Sequence, residues 1–283
     1  MKRIAIQGYQ GAFHQEAAEN YFGKNIELVE CETFNILIES IKNGQANFGV
    51  MAVENSLVGC ILPNFMLLRE SRLNVIGEVY LKITQNLMAL PSQSINDLNQ
   101  VQSHGMAIAQ CKPFFKSYPN IQLVESVDTA LSAKHIAQKQ LAGIGAIGSS
   151  LAASLYGLEV LASSIESNKM NFTRFLVIGP VNNQITNNGI IKATIAFTAK
   201  HSPGGLASLL TSLANEGINL TMLHSLPMVG SVWEYIFHAD LCYQSMEHAR
   251  SSMIWLSKQV SQLWVMGVYP TNFHFNNHDI TLN

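Results

Sequence analysis

The sequence predicts an α/β protein made of a two-lobed body followed by a smaller β-α-β-β-α-β module. Three observations predict it. Strand and helix signals alternate through residues 4–156, the pattern of sheets covered by helices on both faces. An apolar stretch over residues 75–90, too long for one ordinary strand, cuts that alternation in two. A polar, turn-rich run over residues 180–189 then separates a segment of roughly 85 residues whose element order is ferredoxin-like.

The elements follow in order. Residues 4–7 form a strand leading into a turn between Gly8 and Gly11, then a helix over 13–21. After a strand over 26–30, Thr33 caps a helix running to Asn43, with Gly44 just past its end. Residues 48–53 read as a buried strand ending at Glu54-Asn55-Ser56, and a helix covers 63–70. Residues 75–90 cross into a second lobe, which repeats the alternation. Its strands lie over 100–102, 122–127 and 143–147, and its helices over 107–115, 129–140 and 149–156, with Gly157 as the last stop. The chain runs on through 161–169 and returns to the first lobe. Two crossings give a hinged body with a cleft, and ligands of such folds sit at carboxyl ends of strands and at helix N-termini. Asn55-Ser56 and Ser103-His104 occupy such positions. Beyond the linker come a strand over 192–198, the loop His201-Ser202-Pro203-Gly204-Gly205 and a helix to Glu216 stopped by Gly217. Strands over 219–226 and 233–241 are joined by Pro227-Met228-Val229-Gly230, and a helix over 246–259 and a strand over 263–268 complete the module. Residues from Thr271 onward read as a loose polar tail.

Composition narrows the function. The 283 residues are 48% hydrophobic, enough for two proper cores, while charged residues are only 13% and the net charge is −2. No basic face for nucleic acid is expected. No apolar run reaches the roughly 18–20 residues of a membrane span, and Met1-Lys2-Arg3-Ile4-Ala5-Ile6 reads as a first strand, not a signal peptide. The four cysteines, Cys31, Cys60, Cys111 and Cys242, are scattered without a C-x-x-C pair, which points to reduced thiols in a cytoplasm. The nine histidines are dispersed, with no metal-ligand spacing, so neither a metal nor a cofactor is expected. The glycines of the first turn lack G-x-G-x-x-G spacing, so no dinucleotide site is expected either. Low charge with high apolar content suggests surface hidden by oligomerisation.

The chemistry concentrates at Asn171-Phe172-Thr173-Arg174-Phe175. A hydroxyl and a guanidinium stand side by side, flanked by aromatic rings and followed by the buried-type strand Leu176-Val177-Ile178. A buried Arg needs an anion, and its fork fits a carboxylate in two-point geometry. The segment reads as a carboxylate clamp with an adjacent proton donor; a surface Arg at a strand start is the plainer alternative.

These segments together resemble prephenate dehydratase of the fused type, a catalytic domain followed by an ACT domain, over nearly the whole chain from Arg3 to Tyr269. Gly8-x-x-Gly11-x-Phe13, Val53-Glu54-Asn55-Ser56 with Gly59, Ser103-His104 with Ala107-x-Ala109-Gln110-Cys111, Asp128-Thr129-Ala130, Ala146-Ile147-Gly148-Ser149, Tyr156-Gly157-Leu158 and Asn171-x-Thr173-Arg174-Phe175 occur in the family's order. In the second domain, Pro203-Gly204-x-Leu206 and Gly217-Ile218-Asn219-Leu220-Thr221 are similar to the ACT ligand loop and second strand. Three departures stand out. The turn Gly11-Ala12-Phe13-His14 lacks the family's hydroxyls, Gly105 replaces a proline, and His224-Ser225-Leu226-Pro227 stands where Glu-Ser-Arg-Pro is common. The last puts the mode of feedback inhibition in question.

The resemblance implies a bilobal catalytic domain of the type II periplasmic-binding-protein-like kind over residues 1–180, with one lobe over 1–76 and 170–180 and the other over 77–169. It implies a linker over 181–190, an ACT regulatory domain over 191–270 and a tail over 271–283. The implied reaction turns prephenate into phenylpyruvate, water and carbon dioxide. Thr173 is the expected donor to the leaving oxygen and Arg174 the expected anchor of the retained carboxylate. Asn55 and Ser56 complete the catalytic set with Glu54, which is alternatively a salt-bridge partner of Arg174. Ser103, His104, Gln110, Thr129 and Phe175 are expected to bind substrate, Thr129 alternatively being a plain helix cap. L-Phenylalanine is the expected allosteric ligand, at Gly204, Gly205, Leu206, Asn219, Leu220 and Thr221 of a homodimer or homotetramer. An arogenate dehydratase and a non-catalytic amino-acid sensor are the competing readings.

Overall fold

The structure, a computed structural model, describes residues 1–180, 189–199, 202–228, 230 and 234–271. The expected linker over 181–188, His201, Val229, Trp233 and the tail from 272 lie outside the described residues. The chain groups into two compact units, Met1–Ile61 with Val79–Phe175, and Leu62–Glu78 with Leu176–Asn283.

The first unit holds two mixed sheets. Strands β1 (Lys2–Gln7), β2 (Ile26–Cys31), β3 (Phe48–Asn55), β4 (Gly59–Cys60), β5 (Asn74–Lys82) and β11 (Phe172–Gly179) make the first, in the order β2-β1-β3-β11-β5 with β4 against β3. The unit boundary falls inside β5 and β11. Strand β1 runs parallel to both β2 and β3, with helices α1 (Phe13–Phe22) and α2 (Phe34–Lys42) as the crossovers. The second sheet has the order β10-β6-β9-β7-β8, from β6 (Asn86–Ala89), β7 (Gln100–His104), β8 (Gln122–Ser126), β9 (Ile144–Gly148) and β10 (Glu159–Ala162). Helices α4 (Gly105–Cys111), α5 (Thr129–Lys139) and α6 (Ser150–Tyr156) cover it. Local chemistry sets the helix starts: Thr33, Asp128 and Ser149 each accept the N–H three residues on, at α2, α5 and α6.

Four elements differ from the sequence expectation. The apolar stretch over 75–90 resolves into β5 and β6, separated at residues 83–85. The helix expected over 107–115 ends at Cys111, because Pro113 cannot donate a backbone hydrogen bond, and Phe114–Ser117 forms a 3-10 turn instead. Strand β10 pairs antiparallel with β6 over residues to which the sequence reading gave no element. Strand β11 starts at Phe172, so Thr173 and Arg174 lie inside a strand.

Two glycines bring the lobes of this unit together. Gly11 (φ +89°) lies so close to α6 that an added Cβ would meet Ala152 at 2.9 Å, and Ser149 Oγ donates to the Gly11 carbonyl at 2.6 Å. Gly8 (φ +94°) likewise leaves room for the Asp128 carboxylate, which a Cβ would meet at 2.7 Å.

The second unit has the order β12 (Ile190–Thr198), α7 (Gly205–Asn215), β13 (Asn219–Pro227), β14 (Tyr235–Tyr243), α8 (Met246–Gln259) and β15 (Gln262–Thr271), with an antiparallel sheet ordered β13-β14-β12-β15. Ile191, Ala193, Ile195 and Phe197 of β12 enter the core shared with α7 and α8. Most of the alternate residues are polar and are buried as well: Lys192, Thr194 and Thr198, with Ala196 among them. Helix α3 (Leu62–Ser71) and the start of β5 belong to this unit. Glu78 forms a 2.7 Å ion pair with Lys192, both side chains 1% exposed, and accepts from Thr271 Oγ1. Thr194 Oγ1 donates to Asp240 Oδ1 at 2.7 Å, and Gly267 packs against the Val75 backbone with no room for a Cβ.

A buried pair is costly to break from one side, because the remaining charge keeps its desolvation penalty. Lys192→Ala is expected to destabilise the protein by about 3–5 kcal/mol in urea denaturation. The double variant Glu78→Met/Lys192→Met is expected to recover most of that loss.

Candidate functional site

A cavity of about 280 Å³ opens in the first unit and is lined from both of its sheets. From the first come Ala12, Phe13, His14, Asn55, Thr173 and Phe175; from the second, Gln85, His104, Gln110, Asp128 and Thr129.

Asn55 organises the first wall. Its Oδ1 accepts the N–H groups of Leu57 (3.0 Å) and Val58 (3.1 Å), which fixes the amide orientation. Its Nδ2 therefore faces the other way and donates to Asn171 Oδ1 (2.8 Å), Thr173 Oγ1 (3.0 Å) and the Phe172 carbonyl (3.2 Å). Thr173 is thus an acceptor from Asn55, and its own proton remains to be donated. The same logic passes to Asn171, fully buried, whose Nδ2 donates to Gln110 Oε1 at 3.0 Å. Ser56 is spent on the strand itself: its Oγ donates to the Met170 carbonyl (2.7 Å) and accepts the Phe172 N–H (2.9 Å), while its own N–H donates to the Phe172 carbonyl (2.9 Å).

The alternation of β11 divides the expected clamp. Thr173 and Phe175 line the cavity, whereas Arg174 does not. Arg174 is 3% exposed, with Nη1 3.7 Å from Glu54 Oε2 and the guanidinium 6.0 Å from the Tyr80 ring centre. The expectation that Thr173 and Arg174 face one ligand is corrected by this period of two. Glu54 is the ion-pair partner of Arg174, the alternative role weighed for it.

The remaining expected residues sort as clearly. His104 lines the cavity and accepts the Met106 N–H at Nδ1 (3.3 Å); Gln110, Thr129 and Phe175 line it as well. Thr129 is the first residue of α5, and Asp128 is the cap. Ser103 is fully buried, with its Oγ donating to the Ile147 carbonyl at 2.7 Å, and does not reach the cavity. In the second unit, Gly204 caps α7 with φ +77° and Gly205 opens the helix beyond Thr198. Asn219 pairs with Cys242, which also pairs with Lys192, so residues 219–221 lie at the other end of β12. One chain does not bring these two groups together.

Sequence reasoning gave no role to Asn171, His14, Gln85 or Asp128. Asn171 carries a readable signal, since it stands two residues before Thr173, as Phe175 stands two after it.

The electrostatics suit an anion with little formal charge around it. Burial lowers the His14 imidazole to about 4, so it is neutral at pH 7. Burial pushes the Asp128 carboxyl up, opposed by the N–H groups of Leu131 and Ala130. At the start of α1 the cap residue, Ala12, offers no side-chain acceptor. The N–H groups of Phe13 and His14 have no partner among the described residues. Such a helix terminus attracts a carboxylate. Among the described residues no cluster of His, Cys, Asp and Glu has the arrangement to hold a metal ion.

Comparison with known proteins identifies the family. The family profile for prephenate dehydratase matches residues 4–183. A bifunctional chorismate mutase/prephenate dehydratase of Aquifex aeolicus is 32% identical over 95% of this chain and 73% of its own length. Arogenate dehydratase 2 of Petunia hybrida is 33% identical over 95% and 72%. The prephenate dehydratase of Arthrobacter aurescens, solved with L-Phe, superposes with a TM-score of 0.84 at 26% identity, over 95% of this chain and 89% of that one. GqqA, described as a novel type of quorum quenching acylase, superposes at 0.85 with 28% identity over 96% and 98%.

The neutral His14 has a consequence for stability. Its pKa falls from 6.5 in the unfolded chain to about 4, so below pH 6.5 the unfolded chain takes up a proton that the folded one refuses. Stability is lost as pH falls from 6.5 towards 4. Between pH 7 and pH 5 the wild type is expected to lose about 1–2 kcal/mol more than His14→Asn, read from denaturant midpoints at the two pH values.

Proposed function

The chain belongs to the prephenate dehydratase family, and we infer that it converts prephenate to phenylpyruvate, water and carbon dioxide on the route to L-phenylalanine. The observation that carries this reading is the Thr173 hydroxyl, held as an acceptor by Asn55 with its proton left for a group in the cavity. In the reaction the bond from the ring to its carboxylate breaks and that electron pair enters the ring. The bond to the hydroxyl on the opposite ring carbon breaks, and the departing oxygen takes a proton and leaves as water. Thr173 supplies the hydrogen bond, and relays the proton, at that oxygen. Threonine is a weak acid, so its effect rests on fixed orientation.

The carboxylate that stays is held at the uncapped start of α1, by the N–H groups of Phe13 and His14. Arg174 acts through position: its pairing with Glu54 locks β11 next to β3, and with it the direction of Thr173. His104, Gln110, Thr129 and Phe175 shape the cavity around the ring. No cofactor enters the reading.

The same reading divides the chain into a periplasmic-binding-protein-like catalytic domain of type II over residues 1–180 and an ACT domain over 191–270. The observed β-α-β-β-α-β order supports the second assignment. The relative solved with L-Phe supports phenylalanine as the regulatory ligand. Because Gly204, Gly205 and Leu206 lie at the other end of β12 from Asn219, Leu220 and Thr221, a site using both sets needs two copies of the chain. A homodimer or homotetramer supplies that. The four free cysteines support a reducing compartment such as the cytoplasm.

Prephenate added to the protein at neutral pH is expected to yield phenylpyruvate, seen by its absorbance in alkali. Thr173→Val should lower turnover about 100-fold or more. Asn55→Asp should lower it by at least about tenfold, because a carboxylate oxygen in place of Nδ2 draws the Thr173 proton away from the cavity. Amino-acid binding without turnover would instead identify a sensor. Phenylalanine at saturation is expected to raise the melting temperature and slow turnover; an unmoved melting curve would remove the regulatory reading.

A further inference from the structure

The cavity holds a polar side chain that the fold does not use. Gln85 is 3% exposed, yet its side-chain amide makes no hydrogen bond among the described residues, and Oε1 is buried without a partner. A buried amide left unpaired costs stability. Its backbone, by contrast, is fixed on both sides. The Gln85 N–H donates to Glu166 Oε2 at 2.8 Å, and its carbonyl accepts the Ile165 N–H at 2.8 Å. Next to it, Asn86 Nδ2 donates to the carbonyls of Thr84 (3.3 Å) and Gly148 (3.2 Å), while Oδ1 accepts the Ser164 N–H (3.2 Å). A locked backbone carrying an uncommitted amide is a preorganised ligand contact.

Its place in the chain indicates which part of the ligand it meets. The Ile83 N–H donates to the Asn171 carbonyl at 2.8 Å. From that link one strand passes through Gln85 into β6 of the second sheet, and the other through Thr173 into β11 of the first. The two residues therefore line one cavity from different sheets. In prephenate the leaving hydroxyl and the pyruvyl arm stand on opposite carbons of the ring. With Thr173 at the hydroxyl and the carboxylate of the arm at the start of α1, the group beside that carboxylate is the part of the arm left to meet the second sheet, where Gln85 lines the cavity.

We propose that Gln85 is a specificity-determining residue that reads the group next to the carboxylate of that arm: neither of its amide atoms is engaged among the described residues, so the amide is free to turn and donate from Nε2 to the keto oxygen. This rests on the prephenate reading above. An uncharged amide serves a keto group fully. The ammonium of arogenate at the same place brings a charge that the amide does not neutralise. A carboxylate there would reverse the preference, attracting the ammonium and repelling the dianion.

The test uses the full chain with prephenate and arogenate as substrates. Gln85→Met, equal in length and apolar, is expected to raise KM for prephenate at least about tenfold with kcat changed less than about threefold, and to leave the melting temperature unchanged or higher. Gln85→Glu is expected to lower kcat/KM for prephenate about 100-fold and to shift the prephenate-to-arogenate ratio at least about tenfold towards arogenate. A KM within twofold of wild type in Gln85→Met overturns the proposal, and a lowered melting temperature beside that unchanged KM would make Gln85 structural. An unmoved substrate ratio in Gln85→Glu overturns the assignment to the keto group. Wild-type turnover separates the two levels: its absence sinks the dehydratase reading itself, whereas its presence with unaffected variants sinks only the role of Gln85.

Discussion

The site depends on which way one amide faces. Asn55 sits where β3 ends, and the turn that follows presents the N–H groups of Leu57 and Val58 to its Oδ1. Those two donors admit only one orientation, and everything downstream is set by it. Nδ2 must donate, Thr173 and Asn171 must accept from it, and Asn171 must in turn donate to Gln110. A hydroxyl that accepts inward has its single proton to give outward. The direction of proton donation at Thr173 is thus a property of the β3–β4 turn, of which Val58 lines the cavity and Leu57 does not.

Charge is placed with similar economy. The guanidinium beside Thr173 in sequence is engaged with Glu54 on the other side of the sheet, and the His14 imidazole in the cavity is neutral. The backbone offers a place to hold a carboxylate, the N–H groups at the start of α1. This arrangement suits a substrate with two carboxylates of opposite fate. A helix terminus holds one acid by directed hydrogen bonds. A guanidinium in the same space would stabilise the second acid as well, and that acid has to depart as a neutral gas.

Much of the fold was legible because its signals are local. Alternation of β and α patterns, the cap Thr33 and the stop at Gly157 each act within a few residues, and the structure keeps them. The misjudged elements have non-local causes. Strand β10 exists because β6 offers it an edge, and the split between β5 and β6 is set by long-range bonds at residues 83–86 to Asn171, Ile165 and Ser164. At the site, Thr173 and Asn55 were readable from a motif, but Arg174 was assigned to the ligand by adjacency in sequence. Strand periodicity carries the opposite message, since neighbours face apart and Asn171, Thr173 and Phe175 share a side. Gln85 was not legible at all, because one glutamine in an apolar run looks like a flaw in a strand until its lack of a partner is seen.

Hydrogen-bond accounting separates the polar residues of this site into two kinds. Ser56, Ser103, Asn55 and Asn171 have their side-chain groups engaged with other parts of the chain, and each holds a piece of backbone in place. Gln85 Oε1 and His14 Nε2 are buried without partners, and the N–H groups at the start of α1 are equally uncommitted. The first kind lowers the energy of the fold whether or not a ligand is present. The second raises it until something arrives; Glu16, Gln93 and His238 also carry unpartnered buried atoms but do not line this cavity, so an orphaned atom points to a ligand only where a cavity meets it. Polarity in a cavity is therefore a weak guide to function by itself. The informative residues are those whose polar atoms the rest of the protein leaves alone while fixing the backbone that carries them.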